Sequence, residues 1–138
     1  MNIQLENKNF SISINTKGAE LNSCKNLLVN KEYIWEGNPE FWGKHSPILF
    51  PIVGGLKNDS YYYNDKKYNL SRHGFARDFE FEIIKKTDLS VTFSLKENDE
   101  TLQKYPFQFE LQIKYVLTKN KLVIIYHIKN NSKAEMPF

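Results

Sequence analysis

The stretch LSRHGFARDFEF, residues 70–81, sets Arg72, His73, Gly74 and Arg77 between segments that otherwise alternate as β-strand. An imidazole followed by glycine at a strand end has the backbone freedom to reach a ligand, and it exchanges protons near neutral pH. Arg72 and Arg77 add planar, forked donors that suit vicinal hydroxyls, carboxylates or phosphate. One reading is a polar ligand held at a basic corner. The other is a solvated loop in which Arg77 and Asp78 form a surface pair worth at most ~1 kcal/mol. Residue types and spacing leave both open.

A second stretch, YIWEGNPEFWGKHSPILFPIVGGL, also departs from plain strand and turn. Trp35 and Trp42 bracket a turn at Gly37, Asn38 and Pro39, and Lys44 and His45 follow. Pro47 and Pro51 bracket Ile48, Leu49 and Phe50, so any strand there makes a broken ladder at an edge or bend. Gly54 and Gly55 permit a sharp reversal or a close backbone approach. Such a segment is either a kinked sheet corner or the wall of a cleft. The third unusual stretch, KNNSKAEMPF, stops on Met136-Pro137-Phe138 after an Asn-Asn turn, as if another strand were due.

The elements that must carry these residues are strands. Phe107, Phe109, Leu111, Ile113, Tyr115 and Leu117 share one face of a half-buried strand, with Gln108, Glu110, Gln112 and Lys114 on the other. KLVIIYHIKN is apolar on both faces and reads as a more central strand. DFEFEII and LSVTFSL make a hairpin around Lys86, Thr87 and Asp88; NFSISIN and KGAELNSCKN make an opening pair; YYYNDKKYNL turns at Asn64 and Asp65. One helical turn is expected in NDETLQKYPF, capped by Asp99 and ended by Pro106. Short strands separated by turn residues predict an all-β fold, an antiparallel sandwich or barrel, in one domain or part of one.

Composition narrows the classes of function. A net charge of +3, from 19 basic and 16 acidic residues without a block of like charge, calls for neither nucleic acid nor a membrane as partner. The single cysteine, Cys24, can form no internal disulfide and no metal site by itself, and no His/Cys/Asp spacing matches one. MNIQLENKNF lacks the layout of a signal peptide, so the expectation is a cytoplasmic protein. His127, within IIYHIKN, reads as a sheet histidine. With 8 Tyr, 10 Phe and 2 Trp, the chain has aromatics enough for a β core and for stacking on the apolar faces of sugar rings.

Taken together, WEGNPEFW, SPILFPIVGGLKNDSYYY, KKYNLSRHGFARDFEF, ETLQKYPFQFELQIKYVL and KNNSKAEMPF resemble the aldose 1-epimerase (galactose mutarotase) superfamily, most closely its LacX-like branch. The pieces occur in the family's order over nearly the whole chain, and LFPIVG and HGFAR are the specific ones.

The resemblance implies a large antiparallel β-sandwich, the galactose mutarotase-like super-sandwich. Residues 1–138 would be a single, partial domain matching its N-terminal portion. It implies interconversion of the α and β anomers of a hexose or hexose 6-phosphate without a cofactor. An acid protonates the ring oxygen while a base takes the anomeric proton; the ring opens, turns and closes on its other face.

Carried over residue by residue, His73 aligns with the first of the family's two active-site histidines, the one that hydrogen-bonds the sugar. Arg77 matches a phosphate-binding arginine of the hexose-6-phosphate branch, with Arg72 beside it as a further substrate contact. His45 and Lys44 lie near another arginine of that branch. A substrate-contacting arginine of mutarotases proper is replaced here by Gly55. In the family the second histidine, an aspartate and the glutamate base follow the segment like Met136-Pro137-Phe138. The chain alone is therefore expected to be weakly active or inactive. Two alternatives stand beside the enzyme: a non-catalytic carbohydrate-binding module, and a structural half that self-associates or pairs with a C-terminal half through an uncovered sheet.

Overall fold

The computed structural model describes all residues, 1–138, and the chain folds into two antiparallel sheets packed face to face. The first sheet has the order β1 (Asn2–Glu6), β2 (Phe10–Asn15), β3 (Glu20–Asn26), β4 (Lys31–Glu32). The second runs from β7 (Glu82–Thr87) through β8 (Ser90–Lys96) and β9 (Phe109–Leu117) to β10 (Leu122–Asn130). Between them in sequence lies a separate hairpin, β5 (Ser60–Tyr63) and β6 (Lys66–Asn69). Its turn residues Asn64 and Asp65 both have positive φ, the conformation a tight two-residue hairpin demands. No helix is long and apolar enough to cross a membrane.

One apolar cluster joins the inner faces of the sheets. Ile3, Leu5, Ile12 and Ile14 meet Phe93, Leu111, Ile113 and Leu117, all buried. β9 alternates buried and half-buried residues along its whole length, as its period of two requires. A buried tie fixes the layers to each other: the Tyr115 hydroxyl donates to the Ala19 carbonyl at 2.7 Å. At one end of the core Phe50, Phe75 and Phe109 form an aromatic knot, their ring centroids 5.2–6.1 Å apart. That knot is the floor under the His73 turn.

The predicted sandwich, its hairpins and the helical turn are present, with four differences. β1 forms from residues 2–6 and pairs in register with β2, a strand the opening pair alone does not include. The helix α1 (Asp99–Lys104) is capped by Asn98 rather than Asp99. The Asn98 side chain accepts from the Thr101 amide while the Thr101 hydroxyl takes the Asn98 amide, a reciprocal cap that needs a residue outside the helix. Residues 48–50 form no strand, since Pro47 and Pro51 leave one isolated bridge, Phe50 to Gly74. β10 is an edge strand, not a central one. Apolar residues on both faces report what lies above and below a strand; they say nothing about how many neighbours share its edges. Ile124, Ile125 and Tyr126 are accordingly exposed.

Candidate functional site

Two loops build the site, residues 46–56 and 70–78. They are locked together through the Phe50 carbonyl, which accepts from the Phe75 and Ala76 amides at 2.9 and 3.2 Å. Gly74 makes this approach possible. Its φ is +69°, and an added Cβ would stand 2.1 Å from the Phe50 oxygen, a distance no side chain tolerates. Phe75 and Ala76, both buried, anchor a short 3-10 turn, Ala76–Asp78, that presents Arg77.

His73 is held by a reciprocal pair of bonds with Gly54. The His73 amide donates to the Gly54 carbonyl at 2.7 Å, and the Gly54 amide donates to His73 Nδ1 at 2.9 Å. His73 itself has a φ of +70°, a left-handed conformation that is uncommon for a residue with a Cβ. Arg72 Nε also lies 3.2 Å from His73 Nε2. A neutral imidazole accepts at one nitrogen only. Arg72 Nε–H is itself only a donor, so the two contacts cannot both be hydrogen bonds to a neutral ring. The Gly54 amide is fixed in the backbone, whereas Arg72 is an exposed side chain free to turn away, so Nδ1 is the acceptor and the proton sits on Nε2. His73 therefore offers an Nε2–H donor.

Arg77 is mostly covered, its side chain 22% exposed. Its Nη2 donates to the Arg72 carbonyl at 2.9 Å, which ties the guanidinium across the His73 turn. Its Nε is buried without a hydrogen-bond partner and stands 3.7 Å from Asp78 Oδ2, too far for a hydrogen bond. Asp78 also lies 3.7 Å from Lys44 Nζ, at the surface.

His73 and Arg77 line one cleft of about 570 Å³ together with Trp42, Tyr115, Ile124 and Tyr126. Its volume and largely apolar wall with a few polar groups are those of a small-molecule site. Of the residues singled out in the sequence, these two are brought together there. Arg72 flanks them at the surface, its carbonyl accepting from Arg77 Nη2. Lys44 stands behind, on Asp78. His45 faces away: its Nδ1 is 2.7 Å from the Trp35 carbonyl and its ring presses on Gly37, so it pins the tryptophan loop. Glu20 completes that pin by accepting from the His45 and Ser46 amides. No Asp or Glu lines the cleft.

Sequence alone does not single out Tyr115 and Tyr126 for the site, and it offers Trp42 only within a segment that is either a sheet corner or a cleft wall. Tyr115 and Tyr126 belong to strands whose alternation accounts for them as core, and only the pairing of Tyr115 with Ile124 shows that β9 and β10 present these residues on one face. Burial pushes the Tyr115 phenol well above its ordinary value, so it stays a neutral donor, and its proton is committed to Ala19.

The comparisons agree with this architecture. A galactose mutarotase-like protein from Lactobacillus casei superposes with a TM-score of 0.97 at 43% identity, over 100% of this chain and 47% of that one. A galactose mutarotase related enzyme from Lactobacillus acidophilus gives 0.96 at 45% identity, over 99% of this chain and 45% of that one. Protein LacX (plasmid) of Lactococcus lactis subsp. lactis is 36% identical over 144 residues, which take in all of this chain and 48% of that protein. The chain thus spans about half the length of the relatives it matches. The family model for aldose 1-epimerase matches residues 1–138 from end to end, and the chain belongs to the aldose 1-epimerase family.

Proposed function

We propose that the cleft binds an aldohexose or its 6-phosphate, and that the whole protein, of which these residues supply part of the site, interconverts the sugar's anomers. The observation that carries this reading is the His73 imidazole, whose Nδ1 is pinned by the Gly54 amide so that Nε2–H is left as a donor in the cleft. A neutral N–H donor of fixed direction orients a sugar oxygen and stabilises negative charge that develops on it during ring opening. Arg77, with a buried and unmatched Nε, supplies a charged contact suited to a hydroxyl or phosphoryl oxygen. The general base comes from outside the cleft lining described above, which contains no carboxylate.

That last observation favours one further reading of these 138 residues by themselves, sugar binding without turnover. The exposed edge of β10 supports pairing with a further β segment as the way the catalytic groups are brought in. A hexose-metabolising protein with one free thiol, Cys24, fits a cytoplasmic setting.

Polarimetry and calorimetric titration on the 138-residue chain test the proposal. We expect binding of glucose or galactose at millimolar concentration or below, with optical rotation relaxing no faster than in buffer. Absence of binding at millimolar sugar overturns the sugar-site reading. Mutarotation well above buffer, abolished by His73→Ala, overturns the placement of the base outside these residues.

A further inference from the structure

Four turns meet at one end of the sandwich: residues 7–9 between β1 and β2, 27–30 between β3 and β4, 88–89 between β7 and β8, and 118–121 between β9 and β10. They are tied to one another. The side-chain amides of Asn7 and Asn9 donate to the Thr118 and Lys119 carbonyls at 2.5 and 2.7 Å. The Leu27 amide donates to the Asn9 carbonyl and the Leu117 amide to the Leu89 carbonyl, both at 2.8 Å. The His73 turn belongs to the other end of β2, where the Gly18 amide donates to the Phe79 carbonyl at 2.7 Å.

Spaced along the sequence, the lysines of these turns form no block; the fold collects them. Lys8, Lys25, Lys31, Lys86, Lys119 and Lys121 stand at or beside the turns, against the acids Glu6, Glu32 and Asp88. That excess equals the net charge of +3 of the whole chain, so the rest of the molecule is balanced. The ion pairs of the structure use Lys44, Arg77, Lys104 and Lys129, which leaves all six of these lysines without a carboxylate partner. Glu32 is taken up inside its own hairpin, accepting from the Ser23 hydroxyl and the Cys24, Tyr33 and Ile34 amides.

From this basic end projects an apolar tip. Leu28 is 71% exposed and Val29 66%, at a hairpin turn where polar residues are the rule. The tip is held in shape, since Asn26 Oδ1 accepts from the Leu28 amide at 3.0 Å and the Leu27 amide is tied to Asn9. Tyr33, half exposed, stands at the base of the hairpin with Lys31 Nζ 5.5 Å from its ring centroid.

We propose that this end of the sandwich docks on an anionic lipid bilayer, with Leu28 and Val29 entering the headgroup boundary and the surrounding lysines meeting the anionic headgroups. Apolar insertion and attraction of lysines to anionic lipid add together in such surfaces, and a tyrosine suits the depth of the headgroups. A nucleic acid fits the same charge less well. Its readers use forked arginines and stacking aromatics, whereas these turns carry no arginine and an aliphatic tip. The proposal is independent of the sugar reading, and docking in this way keeps the His73 turn at the end away from the lipid.

Co-sedimentation with vesicles tests it, comparing phosphatidylcholine alone with phosphatidylcholine containing one third phosphatidylglycerol. We expect the wild-type chain to sediment with the anionic vesicles and not with the neutral ones. Leu28→Ala combined with Val29→Ala should weaken that binding about tenfold, and Lys119→Gln with Lys121→Gln by a similar factor. Raising the salt from about 0.1 M to about 0.5 M should weaken it about tenfold as well. Lys67→Gln with Lys133→Gln, the same charge loss at exposed positions away from these turns, should leave it unchanged. Circular dichroism on each variant separates a lost surface from a lost fold. Failure of the wild-type chain to bind anionic vesicles overturns the proposal. So does binding that ignores Leu28 and Val29 and is matched by a single-stranded oligonucleotide, which would make the end a site for polyanions in general. Sedimentation without vesicles that the Leu28/Val29 variant abolishes also overturns it, since the tip would then be a contact between copies of the chain.

Discussion

The Gly54 amide points at His73 Nδ1 from 2.9 Å, and the His73 amide returns a bond to the Gly54 carbonyl at 2.7 Å. Two loops that are nineteen residues apart in sequence are thereby clasped at the one imidazole that faces the cleft. The clasp fixes the ring's orientation and its tautomer together. It also requires His73 to stand at a φ of +70°, a conformation that costs a residue with a Cβ about 1 kcal/mol.

That strain gives a prediction separating stability from function. His73→Ala and His73→Gly both remove the imidazole and should both abolish hexose binding. Glycine relieves the left-handed strain and alanine keeps it, so the glycine variant should be more stable by about 1 kcal/mol in denaturant titration. Equal stabilities would mean that the positive φ is not a burden on the fold.

Gly74 and Gly54 should respond differently to the same substitution. At Gly74 an added Cβ meets the Phe50 oxygen at 2.1 Å, a backbone atom that cannot step aside. At Gly54 nothing lies within 4 Å, and only the φ of +85° resists. Gly74→Ala should therefore cost more than about 4 kcal/mol or prevent folding, and Gly54→Ala about 1–2 kcal/mol. Thermal melts of the two variants side by side provide the check, and similar losses would contradict the close approach.

On the outer face of the second sheet, Glu110 accepts from Lys129 Nζ at 2.8 Å, Gln112 Nε2 at 2.7 Å and Ser94 Oγ at 2.9 Å. These bonds, that from Lys129 foremost, hold its carboxyl down at about 2. A folded-state value below the unfolded value of about 4.3 means that the network's contribution is complete above that pH. It then fades as the pH falls toward 2. Glu110→Gln should lower the melting temperature near neutral pH, by an amount equivalent to about 1 kcal/mol, and the gap from wild type should close between about pH 4 and pH 2. A gap that persists in acid would place the stabilisation elsewhere.

Arg77 should distinguish phosphorylated from plain sugar. If its unmatched Nε meets a phosphoryl oxygen, Arg77→Ala weakens hexose 6-phosphate binding about 10- to 100-fold, the worth of one or two charge-assisted bonds. Binding of the unphosphorylated hexose should fall less. Arg77→Lys should not restore the phosphate affinity, because a point charge lacks the forked geometry. Calorimetry with both ligands decides it, and equal losses for the two would remove phosphate from the reading.

Much of this was legible in the residues, for physical reasons that also mark where legibility ends. Alternation along Phe109–Leu117 reports a half-buried strand because a strand's side chains have period two, and β9 follows it to the end. Asn64 and Asp65 announce their turn because they accept positive φ readily. His73 and Arg77 stand out as polar groups beside a glycine in an apolar run. The edge position of β10 was not legible, since pairing partners are set by topology, while sequence patterning records only faces. Neither was the capture of His45 by Trp35, nor the arrival of Trp42, Tyr115 and Tyr126 at one cleft, because each depends on segments far apart in the chain. The Gly54–His73 clasp is of the same kind: two glycines in sequence permit a close approach, and only the fold says to what.

In the proposed site, His73 meets a sugar through a proton on Nε2. Nitrogen-15 NMR of the imidazole, observed while glucose or galactose is added, reads that proton. Nδ1 should be unprotonated and Nε2 protonated in the free chain, with the Nε2–H resonance moving as the sugar binds. A ring protonated at Nδ1, or a His73 signal that stays fixed while sugar binds, would contradict it.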